Sequence, residues 1–229
     1  VAFCERTPGA HFLFVDDGSR DDTLAVLRAL AARAPDRIAV LALPENRGKA
    51  EAVRAGMREG FGRGHAYVGY WDADLATPLD ELERFADALE QRPAREIVFG
   101  ARVQLLGRAI ERSPLRHHAG RIFATATSQV LGLPIYDTQC GAKLFRATPA
   151  IAALFDEPFR TSWVFDVEIV ARLIQQRRRD GGPSAAEVIY ELPLRAWRDV
   201  PGSKVRPWDF VRALFEVARI RRLYLRGAR

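Results

Sequence analysis

Cysteine is nearly absent: only Cys4 and Cys140 occur in 229 residues. A disulfide framework or a cysteine-rich zinc site is therefore excluded, and the composition suits a reducing compartment. Long apolar runs are also missing. None approaches the ~18 residues a membrane-spanning helix needs. The opening residues lack a cationic segment followed by an apolar core, so no signal peptide is expected. Internal repeats and low-complexity stretches are absent. Lysine is scarce: of 35 basic residues only Lys49, Lys143 and Lys204 are lysines, which singles those three out from an arginine excess that reads as coding bias.

What is present is ordinary for a globular chain. Hydrophobic residues make up 48% and charged residues 28%, which argues against disorder. The length suits one α/β-sized domain. The net charge of +6 is uneven. Residues 206–229 hold seven arginines against Asp209 and Glu216, so this tail carries most of the excess. One basic tail, not a basic surface, follows from that placement.

Apolar periodicity predicts alternating strands and helices. Strands are expected at 11–15, 38–43, 66–71 and 96–100. Helices are expected from about 22 to 32, from 49 to 61 and from 78 to 91. The second half is less regular, with helices expected at 115–131, 164–178 and 208–225 and strands near 135–146 and 186–194. Strand, loop and helix at this spacing point to a mostly parallel sheet with helical crossovers on both faces. In such sheets ligands bind beyond the carboxyl ends of the strands. Asp16, Asp17, Asp72 and Asp74 all fall just past strand ends, so acidic groups are expected to converge where a ligand would sit.

Asp72-Ala73-Asp74 is the sharpest feature. Two carboxylates held this close repel unless a cation accompanies them. Their hard oxygens suit Mg²⁺ or Mn²⁺, ions that bind jointly to carboxylates and substrate phosphates. The bland alternative is a solvated turn before the helix at Pro78. An aspartyl-nucleophile phosphatase also uses a strand followed by D-x-D, but would want Thr or Val at the position held here by Ala76.

Taken together, the strings "FLFVDDGSRDDT", "ENRGKAEAVRAG", "YWDADLATP", "VFGAR", "YDTQCGAKLFR", "WVFDVEIV" and "PGSKVRP" resemble the family-2 glycosyltransferases. The resemblance is nearest to the branch that glucosylates or mannosylates dolichyl-type and other polyprenyl phosphates. It implies an α/β GT-A (Rossmann-like) fold over residues 1–206, with 207–229 as a basic amphipathic helix on an anionic membrane surface. It also implies an inverting, metal-dependent hexosyltransferase. The donor would be a nucleotide diphosphate sugar of the UDP-glucose or GDP-mannose type. The acceptor would be a lipid-linked phosphate at the inner, cytoplasmic face of a membrane. No nucleic-acid partner is expected.

By the same resemblance Asp17 contacts the nucleotide base, supported by Asp16. Asn46, Gly48 and Lys49 flank the ribose and phosphates. Asp74 is the main metal ligand, and Asp72 contacts ribose or metal. Arg102, Arg116, Arg121 and Lys143 are the candidates for the acceptor phosphate. Asp166 and Asp137 compete as the base, while Asp166 could instead cap its helix with Glu168 in the first turn. A phosphate acceptor makes a base less important, because a phosphate monoester is already mostly dianionic near neutral pH, with a second pKa of ~6. Ala142 stands where the family usually has an aromatic, which would loosen the acceptor pocket. Cys140 and Trp163 read as core.

The family normally opens with a further strand and helix before "VDDGS", and only about ten residues precede that string here. The chain is thus expected to lack the family's usual first strand and helix, leaving two strands without their pairing partner. Rival readings are a glycosyltransferase acting on a soluble or glycan hydroxyl, a sugar nucleotidyltransferase and a non-catalytic basic binding module. The second would want a glycine-rich phosphate loop, which is not visible. The third conflicts with acidic strand ends that repel phosphate unless a metal is bound.

Overall fold

The computed structural model describes residues 2–111, 114–200 and 207–226. After a short helix α1 (Ala2–Arg6), the first apolar run forms β1 (Phe12–Asp16), followed by α2 (Thr23–Ala32) and β2 (Ile38–Ala42). Next come α3 (Lys49–Gly62), β3 (Tyr67–Trp71), α4 (Glu81–Glu90) and β4 (Ile97–Ala101). The second half contains β5 (Ala109–Glu111), α5 (Pro114–Leu131), β6 (Ala142–Arg146), α6 (Pro149–Ala152) and α7 (Phe165–Asp180). It closes with α8 (Ala185–Val188), β7 (Ile189–Pro193), β8 (Ala196–Arg198) and α9 (Pro207–Ile220), which runs on as a π-helical turn to Leu225.

The expected parallel sheet is present, but divided. β1 and β2 form one parallel pair, and β3-β6-β4-β7 form a four-stranded sheet. β4 and β7 are parallel, whereas β6 runs antiparallel to both β3 and β4, so the central sheet is mixed. Among the described residues β1 and β3 are not hydrogen-bonded to each other. Helix α3 contacts both and bridges the two sheets. The segment at 186–194 also divides: its first part is α8 and only its second part is β7.

Alternation along the strands builds two layers of core, because successive side chains leave opposite faces. Val98, Ala142 and Leu144 meet Phe85, Ala88 and Leu89 of α4 on one side. Ile97, Phe99 and Phe145 face the other side, against α5, α6 and α7. Phe99 and Phe145 are fully buried, and each such burial contributes ~1.5–3 kcal/mol. Ala142 belongs to the α4 layer and is fully buried there. Ala142 lines none of the cavity at the carboxyl ends of β3 and β4, so it does not widen that space as expected.

Helix α9 shares the main core. Ala213, Val217 and Ile220 are buried in the layer that holds α5 and α7. At 100° per residue Phe210, Leu214, Val217, Ala218, Tyr224 and Leu225 fall broadly on one side of this helix, but that side is not the one that packs. Leu214 and Ala218 face out, Tyr224 and Leu225 are half-buried, and the side chain of Phe210 lies outside the described residues. Lys204 and the rest of 201–206 also lie outside them.

Candidate active site

The carboxyl ends of β3 and β4, the start of α7 and the facing sides of α5 and α9 enclose a cavity of about 600 Å³. Lys49, Asp72 and Asp74 line one part of it, and Phe123, Trp163 and Phe165 give another part an apolar wall. Trp163 is 41% exposed and borders this space, so it is not the core anchor expected of it.

The D-x-D turn is built tightly. Trp71 at the end of β3 donates its indole N–H to the Thr77 carbonyl, at 2.8 Å. Asp74 Oδ1 accepts the Ala76 N–H at 3.0 Å. Directly after Asp74, Leu75 holds a left-handed backbone with φ 53°, a conformation that costs on the order of 1–3 kcal/mol outside glycine. Lys49 Nζ lies 2.6 Å from Asp72 Oδ1. Burial would lower the pKa of this lysine, but Asp72, Asp166 and Asp74 together raise it above the usual value. Lys49 opens α3 directly after Gly48, whose φ of 89° turns the chain into the helix.

Gly141 was not foreseen as a site residue. Its backbone passes so close to Asp72 that an added Cβ would lie 2.0 Å from Oδ2 and 2.2 Å from Cγ. Its carbonyl also accepts the Asp72 N–H at 2.8 Å. Nothing in the string "QCGAK" marks this glycine, because the approach exists only once β6 pairs with β3.

The second cluster surrounds Asp137. Arg102 grips both of its oxygens, Nε to Oδ2 at 2.7 Å and Nη2 to Oδ1 at 2.8 Å. Burial opposes the guanidinium charge, but Asp137 outweighs it and raises the Arg102 pKa. Arg121 stacks on the Tyr136 ring, 3.8 Å from its centroid, and donates to the Tyr136 carbonyl. Glu191 accepts the backbone N–H groups of Tyr136 and Asp137, and its pKa is raised by burial. Asp137 thus anchors Arg102 and the 136–139 loop, which corrects its reading as the base. In the same loop Thr138 Oγ1 and Gln139 Nε2 are buried polar atoms with no hydrogen-bond partner among the described residues, and both residues line the cavity. They were missed, as were Trp197 and Asp199, which also line the cavity. Burial, then Asp137, pushes the Cys140 thiol pKa up, so it packs as an uncharged group, as expected.

Asp166 lies in the first turn of α7 and borders the cavity. It is not a helix cap. Glu168 does hold the preceding loop, accepting the Arg160 and Thr161 N–H groups. Glu216 of α9 accepts the N–H groups of Trp163 and Val164.

Other expected contacts change. Asp17 accepts the N–H groups of Arg47 and Gly48, one on each oxygen at 2.8 Å. It braces the loop and is not the freer of the two acids for a base. Asp16 is buried, with Oδ2 on the Ser19 N–H and Oδ1 unpartnered. Neither aspartate lines the cavity, nor do exposed Asn46 and half-buried Gly48. Lys143 is fully buried, so it cannot meet an acceptor phosphate. Arg121 borders the cavity, whereas the side chain of Arg116 lies outside the described residues.

The profile of the Glycosyl transferase family 2 matches residues 5–152. The dolichyl-phosphate beta-glucosyltransferase of Saccharomyces cerevisiae is 29% identical, over 99% of this chain and 69% of its own. That of Drosophila melanogaster is 32% identical, over 100% of this chain and 70% of its own. The human protein of that name is 30% identical, over 94% of this chain and 64% of its own. The chain thus spans roughly two thirds of the length of these relatives. Glucosyl-3-phosphoglycerate synthase of Mycobacterium tuberculosis, solved with UDP, superposes with a TM-score of 0.56 at 18% identity, covering 90% of this chain and 68% of that one. A mannosyltransferase of Pyrobaculum calidifontis, solved with GDP-Man and Mn²⁺, gives 0.59 at 18% identity, covering 96% and 56%.

Proposed function

The chain belongs to glycosyl transferase family 2 and has the GT-A fold, and from that membership we propose that it transfers a hexose from a nucleotide diphosphate sugar to a polyprenyl-type lipid phosphate. The observation carrying this reading is one cavity that joins an acidic, lysine-bearing end at Asp72, Asp74 and Lys49 to an apolar wall at Phe123, Trp163 and Phe165. The relatives named as dolichyl-phosphate beta-glucosyltransferases favour glucose as the sugar and a dolichyl-type phosphate as acceptor.

Asp72 and Asp74 fit a divalent cation. Asp72 already holds one positive charge, the Lys49 ammonium. Among the described residues no group of three or more His, Cys, Asp or Glu accompanies the pair. A Mg²⁺ or Mn²⁺ ion would therefore share its remaining positions with diphosphate oxygens and water. When bound, such an ion neutralises charge on the departing diphosphate. Lys49 would then contact the diphosphate. Thr138 and Gln139 would take hexose hydroxyls. Arg102 and Arg121 would place the lipid phosphate, whose oxygen attacks the anomeric carbon as the diphosphate leaves from the opposite face. The new C–O bond forms on the face opposite the breaking one, so this single displacement would invert the configuration. Positioning supplies most of the catalysis for such a ready nucleophile.

The experiment is direct. The full chain, UDP-glucose, Mn²⁺ and a polyprenyl phosphate should yield the glucosylated lipid phosphate, read by mass spectrometry. Transfer only to a soluble sugar hydroxyl would overturn the acceptor assignment.

The acceptor requires a lipid surface. No helix of the described residues is long and apolar enough to cross a membrane. The outward side of α9 carries Val211, Leu214 and Phe215, with Phe215 71% exposed, among exposed Arg212, Arg219, Arg221 and Arg222. This side would rest on an anionic leaflet at the cytoplasmic face. Each basic residue there contributes ~1 kcal/mol, screened by salt. Removing α9 would strip the core, so point substitution is the cleaner test. Leu214→Glu with Phe215→Glu should abolish salt-sensitive co-sedimentation with anionic vesicles and leave the unfolding midpoint unchanged. Undiminished co-sedimentation would refute the surface role.

A further inference from the structure

We propose that Tyr70 and Lys143 are positioning residues that grip one oxygen of Asp166 and leave its other oxygen facing the reacting groups; the proposal rests on the cavity being a glycosyl-transfer site.

Lys143 sits in the middle of β6, paired across the sheet with Tyr70 of β3 on one side and Phe99 of β4 on the other. Its side chain is fully buried. The ammonium lies 5.3 Å from the Tyr70 ring centroid and 4.8 Å from that of Phe99. It donates to the Cys140 carbonyl and to Asp166 Oδ1, each at 2.6 Å. The Tyr70 hydroxyl donates to the same Oδ1. Both strong donors therefore converge on one oxygen, and no hydrogen bond from the described residues reaches Oδ2.

This asymmetry distinguishes Asp166 from three other acids of the core and cavity. Asp137 gives both oxygens to Arg102. Glu168 uses both on Arg160, Thr161, Arg172 and Tyr224. Glu191 uses both on the Tyr136 N–H. Those carboxylates are consumed in holding loops. A buried ion pair is expensive to desolvate, and apolar packing of similar volume would serve a sheet centre as well. A pair that fixes a carboxylate through one oxygen and leaves the second at a cavity wall has a reason to be there beyond packing. The geometry sets the angle of Oδ2 from two rigid strands, as precise placement of a reacting-site group requires.

Tyr70→Phe removes one hydroxyl and keeps the ring. The test is a double-mutant cycle in the full chain with UDP-glucose, Mn²⁺ and polyprenyl phosphate, using wild type, Tyr70→Phe, Asp166→Asn and the double variant. Tyr70→Phe should lower kcat about tenfold, as loss of one hydrogen bond to a charged group implies, with the donor KM unchanged. In the Asp166→Asn background it should cost nothing further, because Tyr70 acts only through Asp166. Lys143→Met should behave in the same way if it folds. Independent, multiplying losses, or a loss confined to KM, would overturn the proposal. If the wild-type chain does not use polyprenyl phosphate, the acceptor reading falls. The same cycle run on hydrolysis of the donor by water then decides the grip on Asp166.

Discussion

Replacing Asp74 with asparagine is expected to lower glucosyl transfer by about three orders of magnitude while leaving the fold intact. A divalent ion at a leaving diphosphate contributes several kcal/mol, and each 1.36 kcal/mol is tenfold in rate. Asparagine keeps an oxygen for the Ala76 N–H that Asp74 Oδ1 now accepts, so the turn should persist. Asp74 is exposed, and substitutions at such positions usually stay within about 0.5 kcal/mol in stability. Calorimetry with UDP should show Mn²⁺-dependent binding for wild type and a weak, metal-independent residue for the variant. UDP affinity unchanged by excess chelator would falsify the metal assignment itself, whatever the variant does.

The second large effect is expected at a residue with no functional group. Gly141→Ala should reduce transfer about a hundredfold, the usual consequence of moving a reacting-site group by ~1 Å. The added Cβ would stand 2.0 Å from Asp72 Oδ2, well inside van der Waals contact. The carboxylate is the movable partner, since it ends a short and partly exposed side chain. It would swing aside and loosen its ion pair with Lys49, while β3 and β6 kept their register. The loss should therefore appear in metal and donor affinity, with the thermal midpoint nearly unchanged. Wild-type Mn²⁺ affinity in Gly141→Ala would show that Asp72 is not a ligand.

Both predictions rest on residues that differ in how visible they were. Asp72 and Asp74 stood out because two like charges after an apolar run are costly without a cation, and that cost is local. Gly141 was invisible because its role is a close approach to Asp72 that exists only when β3 and β6, distant in the chain, pair. Lys143 misled for a related reason. A lysine in "CGAKLF" reads as a reaching cation, and only the pairing of β6 between β3 and β4 encloses it and turns it onto Asp166. Asp17 and Asp137 misled because an acid in a loop reads as available. Its commitment to the 47–48 backbone or to Arg102 is a tertiary fact.

Local physics in the sequence determined the alternation of strands and helices from β1 to β4, the placement of acids at strand ends, the basic tail and the motifs that carry the family. Each depends on neighbours within a few residues: apolar period, turn chemistry and charge spacing. The tertiary structure alone decided that the central sheet is mixed, that α9 buries Val217 and Ile220 and faces Phe215 outward, and which carboxylates keep an oxygen free. These outcomes turn on which buried partner reaches which atom. A carboxylate's second oxygen is free or taken according to a side chain far away in sequence, and composition and spacing carry no record of that distance.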